Sequence, residues 1–299
     1  MENFIKYSSI ENNYRDKFIK KFDLSNMLFV ATEKIHGANF QIVFDYDEDI
    51  TYCSRNRILA ADEKFYDYQN TVKKYNFEKV VVFAKENDCV VRLYGELFGK
   101  GVNKGVDYGD EKQILFFDMS IDGIIVSYDD FHANMTAFGL PTTPFVMKGS
   151  LDETRAFDVE TFNSKVLNID DNVAEGIVIR PVKEIFYGHT RFILKKKSEK
   201  FKENKKPKKA EKIVDPVVDK WHPIVLSYVT EMRLSSLFSK MGEIENPKDI
   251  EKYMKEYVKD VKEDFLKDHD YLVESVTKKQ DKQIFNISKH VVKMLNKYL

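Results

Sequence analysis

Leu28-Phe29-Val30-Ala31-Thr32-Glu33-Lys34-Ile35-His36-Gly37-Ala38-Asn39-Phe40-Gln41-Ile42-Val43-Phe44 sets four residues, Lys34 to Gly37, between the apolar runs Leu28 to Ala31 and Phe40 to Phe44. Runs of this length and composition predict strands over Phe29 to Glu33 and Ala38 to Phe44, so Lys34 falls where two strands hold it in a partly buried pocket. A lysine in such a pocket can act as a nucleophile. The ordinary side chain is almost wholly cationic at neutral pH and the cation has no lone pair, so other residues must supply what frees one.

Ile50 to Ser54 follows as a strand, joined to Ala38 to Phe44 by the acidic turn Asp45 to Asp49. Lys64 to Phe83 mixes apolar and aromatic residues and predicts mostly helix, whereas Val90 to Leu97, Gln113 to Asp118 and Gly123 to Val126 return to strand. Ser127 is placed to cap a helix through Ala137, ended by Gly139 and Pro141, and Ser150 with Glu153 makes a capping box for another. Glu175 to Arg180, closed by Pro181, and Arg191 to Leu194 are apolar strands. Beyond Pro207 the period turns helical: Val217, Trp221, Ile224, Val225, Tyr228 and Met232 form one stripe. Asn246 and Pro247 start a helix carrying Ile250, Tyr253, Met254, Tyr257, Val258 and Val261, and a last helix carries Ile284, Ile287, Val291, Val292 and Leu295. The pattern predicts an α+β protein: an antiparallel-sheet domain over residues 1–204, a lysine-rich linker over 205–215 and a smaller all-α C-terminal domain over 216–299.

With 299 residues, 43% of them hydrophobic, the chain can bury a sizeable core. No apolar run approaches the roughly 18 residues that span a bilayer, and Met1 to Lys6 lacks the apolar stretch of a signal peptide. A soluble, intracellular protein with no membrane partner is expected. Cys53 and Cys89 fit no metal spacing and are expected to be reduced packing residues. The net charge of −1 hides an uneven distribution: Lys195 to Lys212 holds ten lysines against three glutamates, +7, so the remainder sums to −8. Such a basic stripe points to a polyanion, where an isolated charge run would be a solvated linker.

A lysine three residues before a glycine decides nothing alone; the features that follow it in order do. They are Arg55 after Cys53-Ser54, Glu96 in Tyr94-Gly95-Glu96-Leu97-Phe98-Gly99, Phe117-Asp118, Glu175 opening Glu175-Gly176-Ile177-Val178-Ile179-Arg180, and Lys195 and Lys197 on one face of a strand. The glycines beside Glu96 are expected to let backbone approach a ligand. The ordered set Lys34-x-x-Gly37, Gly95-Glu96, Phe117-Asp118, Glu175-Gly176 and Lys195-x-Lys197 resembles the motif series of the covalent nucleotidyltransferases. More narrowly, Glu33 to Phe40, Tyr7-Ser8-Ser9-Ile10-Glu11 and Asn103 to Asp110 resemble the RNA ligase 2 branch, which includes phage double-strand RNA ligases and trypanosome RNA-editing ligases.

That resemblance implies an adenylyltransferase domain whose Lys34 takes AMP from ATP, with Mg²⁺ or Mn²⁺ as cofactor. Lys195 and Lys197 would disfavour the charged form of Lys34 and then stabilise charge on the phosphate oxygens. By position, Glu96 would accept from the ribose hydroxyls, Phe117 would stack on adenine, and Glu33 would hold the purine through its main chain or side chain. Glu175 would bind or orient the metal, Arg55 would contact phosphate or ribose, His36 would lie near pyrophosphate and Asn39 near phosphate, with Ile35 completing the nucleotide contacts. The implied partner is RNA with 3′-hydroxyl and 5′-phosphate ends, nicked duplex first, handled by a monomer whose C-terminal helices hold RNA. Thr32 departs from the pattern, since close relatives can carry a basic residue there. A DNA ligase or capping guanylyltransferase is the nearest alternative, but both commonly carry aspartate where His36 stands and a barrel where helices are expected here. A non-catalytic RNA-end-binding protein is the other, and against it stands the completeness of the set.

Overall fold

The structure is a computed structural model that describes residues 4–202, 215–244, 246–269 and 276–298. Most of the expected linker, and the lysine run from residue 203 to 212, lie outside the described residues. The chain divides into two compact units, Met1–Lys200 and Phe201–Leu299.

The strands of the first unit are β1 (Glu11–Asn12), β2 (Phe29–Glu33), β3 (Ala38–Phe44), β4 (Ile50–Ser54), β5 (Val91–Phe98), β6 (Gln113–Ile121), β7 (Ile124–Ile125), β8 (Phe145–Gly149), β9 (Gly176–Pro181), β10 (Phe186–Tyr187), β11 (Thr190–Arg191) and β12 (Leu194–Lys197). They build one sheet in the order β1-β12-β9-β2-β8, a second in the order β4-β3-β5-β6-β7, and the small hairpin β10-β11. Pairing is antiparallel except between β1 and β12. β2 and β3 therefore do not pair with each other. Every residue of both is buried, so each needs a strand on either side, and each finds them in a different sheet. The pocket expected between two paired strands is instead a four-residue crossing from sheet to sheet.

Along β3 the pleat separates two surfaces. Phe40, Ile42 and Phe44 enter a core shared with Tyr68, Val80, Ala84, Phe131 and Met135 of the helices α2 (Tyr68–Val72), α3 (Glu78–Glu86) and α4 (Tyr128–Phe138). Asn39, Gln41 and Val43 take the other side. Beneath the first sheet a separate core gathers Phe29, Ala31, Ile177, Ile179, Phe192 and Leu194. Between the sheets a smaller cluster of Tyr7, Tyr94 and Ile193 is joined by Phe117 and Val178.

The caps form as expected: the Ser127 side chain accepts from the Asp130 amide and Gly139 ends α4 in the left-handed region, while Ser150 and Glu153 cap the helix Leu151–Ala156 reciprocally. Other boundaries differ. Lys64 to Phe83 holds two short helices because Tyr66 and Asp67 adopt positive φ before the first, and residues 73–77 break the path between them. Phe117 and Asp118 do not end a strand, since β6 runs on to Ile121. Arg191 to Leu194 is interrupted at Phe192 and Ile193, which belong to neither strand, and the later strand continues through the lysines instead. Edge strand β8 is partly polar and carries no clear period.

In the second unit, helices Pro216–Ser227, Glu231–Met241, Ile250–Asp268, Lys278–Ile284 and Ser288–Leu295 surround Trp221, Val225, Leu234, Tyr257, Val261, Phe265, Val291 and Leu295. The first and last expected stripes each divide in two. Thr230 opens a new helix by accepting from the Arg233 amide, and Phe285 to Ile287 make a turn before the final one. No helix among the described residues is long and apolar enough to cross a membrane.

Candidate active site

Lys34 leaves the end of β2 with its amide donating to the Gly176 carbonyl at 2.9 Å, which seats the crossing beside the start of β9. The glycines of the two motifs are required by close approach. A side chain at Gly37 would meet the Leu97 carbonyl at 2.3 Å, and one at Gly176, where φ is +149°, would meet the Lys196 carbonyl at 1.9 Å. Gly95 and Gly99 are also closely packed by neighbouring chain. A Cβ on the first would press on Ile114 and on the second would strike the Glu111 carbonyl.

The centre of the site is the Glu175 carboxylate. Lys34 Nζ donates to its Oε2 at 2.7 Å, the His36 Nδ1 atom lies 3.3 Å from the same oxygen, and Lys197 Nζ reaches Oε1 at 3.0 Å. Burial opposes ionisation of Glu175, but Lys34, Lys197 and His36 outweigh it and hold the carboxyl well below the usual carboxylate range. The nearest charge to Lys34 is thus an anion rather than the expected pair of lysines. Lys195 lies two residues before Lys197 on β12, paired with Val178, while Lys196 turns away to the carbonyls of Arg155 and Phe157 at 2.8 and 2.7 Å.

Glu96 lies on β5 opposite Asn39 of β3 and accepts from the Gly37 amide at 3.2 Å. Burial pushes its carboxyl up to about 7, with Lys34, the Gly37 amide and Arg55 opposing and Glu175 reinforcing. Asn39 is 9% exposed and its Oδ1 has no hydrogen-bond partner among the described residues, an acceptor suited to a ligand's donor. Phe117 is half-buried, its ring 5.2 Å from that of Tyr7, at the apolar floor between the sheets. Ile35 is 3% exposed.

Glu33 stands apart from the other expected site residues. Its carboxylate accepts from Ser164 Oγ at 2.6 Å and from the Lys165 amide at 2.8 Å, anchoring the segment before β9, and its amide donates to the Pro144 carbonyl at 2.8 Å. Thr32 is buried within β2 and offers no surface to nucleic acid.

Residues 27–197 match the family model described as RNA ligase. The chain belongs to the RNA ligase family. Residues 213–297 match a second model, T4 RNA ligase 2 C-terminal, which assigns the helical unit as well. Among relatives, RNA-editing ligase 1, mitochondrial, of Trypanosoma brucei brucei is 23% identical over 356 aligned positions covering 88% of this chain and 75% of that protein. RNA-editing ligase 2, mitochondrial, of the same organism (strain 927/4 GUTat10.1) is 24% identical, covering 59% of this chain and 55% of that protein. A Naegleria gruberi RNA ligase mutant solved with ATP and Mn shares the fold at TM-score 0.51 and 16% identity, over 66% of this chain and 57% of that one. The chain thus spans little more than half of several proteins it matches.

Two groups of this RNA ligase family member carry no assigned role in the sequence reading. Tyr7, Arg180, Arg191 and Glu184 surround Asp118, so the second residue of Phe117-Asp118 braces the floor that holds the first. The segment Asn103 to Asp110 reaches the lysine crossing itself: Asn103 Nδ2 donates to the Gly37 carbonyl at 2.7 Å and the Tyr108 hydroxyl accepts from the His36 amide at 2.9 Å. Their likeness to the RNA ligase 2 branch is the signal, and only the tertiary contacts give it a meaning.

Proposed function

We propose that this chain is an ATP-dependent RNA ligase that joins a 3′-hydroxyl to a 5′-phosphate, with nicks in duplex RNA as the favoured substrate. The observation that carries the reading is the meeting of Lys34 and Glu175, 141 residues apart, with Lys197 on the second carboxylate oxygen and Glu96 alongside. In the first step the Lys34 Nζ lone pair bonds to the α-phosphorus of ATP, the bond from that phosphorus to pyrophosphate breaks, and Nζ releases a proton. Glu175 stays ionised and is a poor acceptor for that proton; its part is to orient the amine. Lys197 and Lys195 face the charge that develops on the phosphate oxygens. The RNA 5′-phosphate then attacks the same phosphorus and expels the Lys34 amine, giving an RNA-adenylate. Attack of the 3′-hydroxyl on the 5′-phosphorus releases AMP.

Glu96 is placed to accept from the ribose hydroxyls and Phe117 to stack on the base. Glu175 is the carboxylate that would hold or orient a Mg²⁺ or Mn²⁺ ion, whose hard-oxygen preference it fits, and the ion would supply positive charge at the reacting phosphate. Positioning and phosphate contacts, not base reading, are what such a reaction asks of the protein. The match of the C-terminal helices to the T4 RNA ligase 2 model supports their use on RNA and duplex as the preferred geometry.

Incubation with α-labelled ATP and Mg²⁺ should label the protein, GTP should not, and Lys34→Ala should lower labelling by a factor on the order of 10⁴ or more. Nicked duplex RNA should then be sealed faster than nicked DNA or single strands. Preferential labelling by GTP, or normal labelling of Lys34→Ala, would overturn the reading.

A further inference from the structure

Residues 35–37 belong to neither sheet, so their backbone groups must find partners elsewhere. Glu96 takes the Gly37 amide, and one loop provides two further partners. Between β5 and β6, Asn103 holds the Gly37 carbonyl and Tyr108 holds the His36 amide, at 2.7 and 2.9 Å, so both sides of the turn after Lys34 are gripped from a single segment. The Tyr108 ring is itself fixed, 7% exposed and edge-on to Phe98 at 4.9 Å, two residues beyond Glu96.

The same loop is locked to the segment that leads into Glu175. The Asp107 amide donates to Asn172 Oδ1 at 2.8 Å, and Asn172 Nδ2 returns a bond to the Asp107 carbonyl at 2.8 Å. Asn172 also donates to the Leu167 carbonyl at 3.0 Å, and it lies three residues before Glu175. A single chain of hydrogen bonds therefore runs from the turn behind Lys34, through Tyr108, Asp107 and Asn172, to the approach of β9. The loop thus joins the turn that follows the amine to the segment that precedes the carboxylate.

We propose that Tyr108 is a positioning residue for the nucleophile, aligning Lys34 on the α-phosphorus by holding the His36 amide within the Asp107–Asn172 lock. The proposal rests on the ligase reading above. The hydroxyl, not the ring, carries it: phenylalanine would keep the contact with Phe98 and leave the buried His36 amide without its acceptor. That amide would then draw the turn toward another acceptor, and a displacement of about 1 Å at a reacting group costs roughly a hundredfold in rate.

The test is Tyr108→Phe in the full chain, with single-turnover lysyl-AMP formation, ATP dependence, sealing of chemically pre-adenylated RNA and thermal unfolding measured together. Lysyl-AMP formation should slow about 10- to 100-fold at saturating ATP, with KM for ATP within about twofold and a melting temperature near that of the unsubstituted chain. Sealing of pre-adenylated RNA should change by less than about threefold, because no bond to Lys34 is made or broken in that step. Asn172→Ala should slow the same step in the same sense. Unchanged lysyl-AMP formation in Tyr108→Phe, or an equal loss in sealing of pre-adenylated RNA, would overturn the proposal. Absence of lysyl-AMP in the unsubstituted chain would instead remove the ligase reading on which it stands.

Discussion

Two buried ionic clusters lie in the same unit and are built from different cations. Around Asp118 stand the guanidiniums of Arg180 and Arg191, with side chains 4% and 0% exposed, and Glu184 bridges them. Around Glu175 stand two amines and an imidazole, with Lys34 19% and Lys197 11% exposed. Arginine keeps its charge and spreads it over a planar fork, so the first cluster can only brace, here tying β6 of one sheet to β9 of the other and to β11 of the small hairpin. Lysine can lose its proton and change partners, so the second can do chemistry. Burial pushes both carboxyls up and their cations pull both down further; what differs is whether the cations can leave.

The comparison is sharpest in stability. Asp118→Ala leaves two buried guanidiniums with Glu184 as their remaining carboxylate and should cost about 3–5 kcal/mol in urea unfolding. Glu175→Gln removes a carboxylate from two lysines that water can reach and should cost only about 1–2 kcal/mol while abolishing lysyl-AMP formation. Equal destabilisation by the two would erase the distinction between brace and reaction centre. A smaller effect follows from Glu96. Its folded carboxyl keeps a proton up to about 7 against an ordinary value of 4.5, so between those values the folded state binds more protons and stability falls as pH rises. The ionised form is the better acceptor for ribose hydroxyls, so ATP affinity should rise through pH 7. Glu96→Gln should remove that inflection in a binding titration, and its persistence would assign it to another group. The smallest effect belongs to Lys196, whose ammonium caps the carbonyls of Arg155 and Phe157. Lys196→Met should lose about 1 kcal/mol of stability and leave labelling by ATP intact, separating the two faces of β12 by function.

Much of the site is legible along the chain because its residues stand at strand ends and beside close-approach glycines, whose spacing survives folding. Lys34 before Gly37, Glu96 after Gly95 and Glu175 before Gly176 are of this kind. The β12 alternation also foretells that Lys196 points away from its neighbours. The use of the Glu33 carboxylate is not legible, since a residue beside the nucleophile points to the opposite side of the strand and meets Ser164 and Lys165 there. Nor is the part played by Tyr108, because a loop tyrosine acquires a role only from the backbone it reaches.

Local sequence therefore determined the α+β class, the helical second unit and most strands, since apolar period, caps and glycines act over a few residues; the proposed role of Lys34 comes from the ordered motif set, not from its own tetrapeptide. The tertiary structure alone decided that β2 and β3 part into different sheets. Two strands buried on both faces carry no mark of which neighbour they take, and that choice sets Lys34 on a crossing where a carboxylate 141 residues away can meet it.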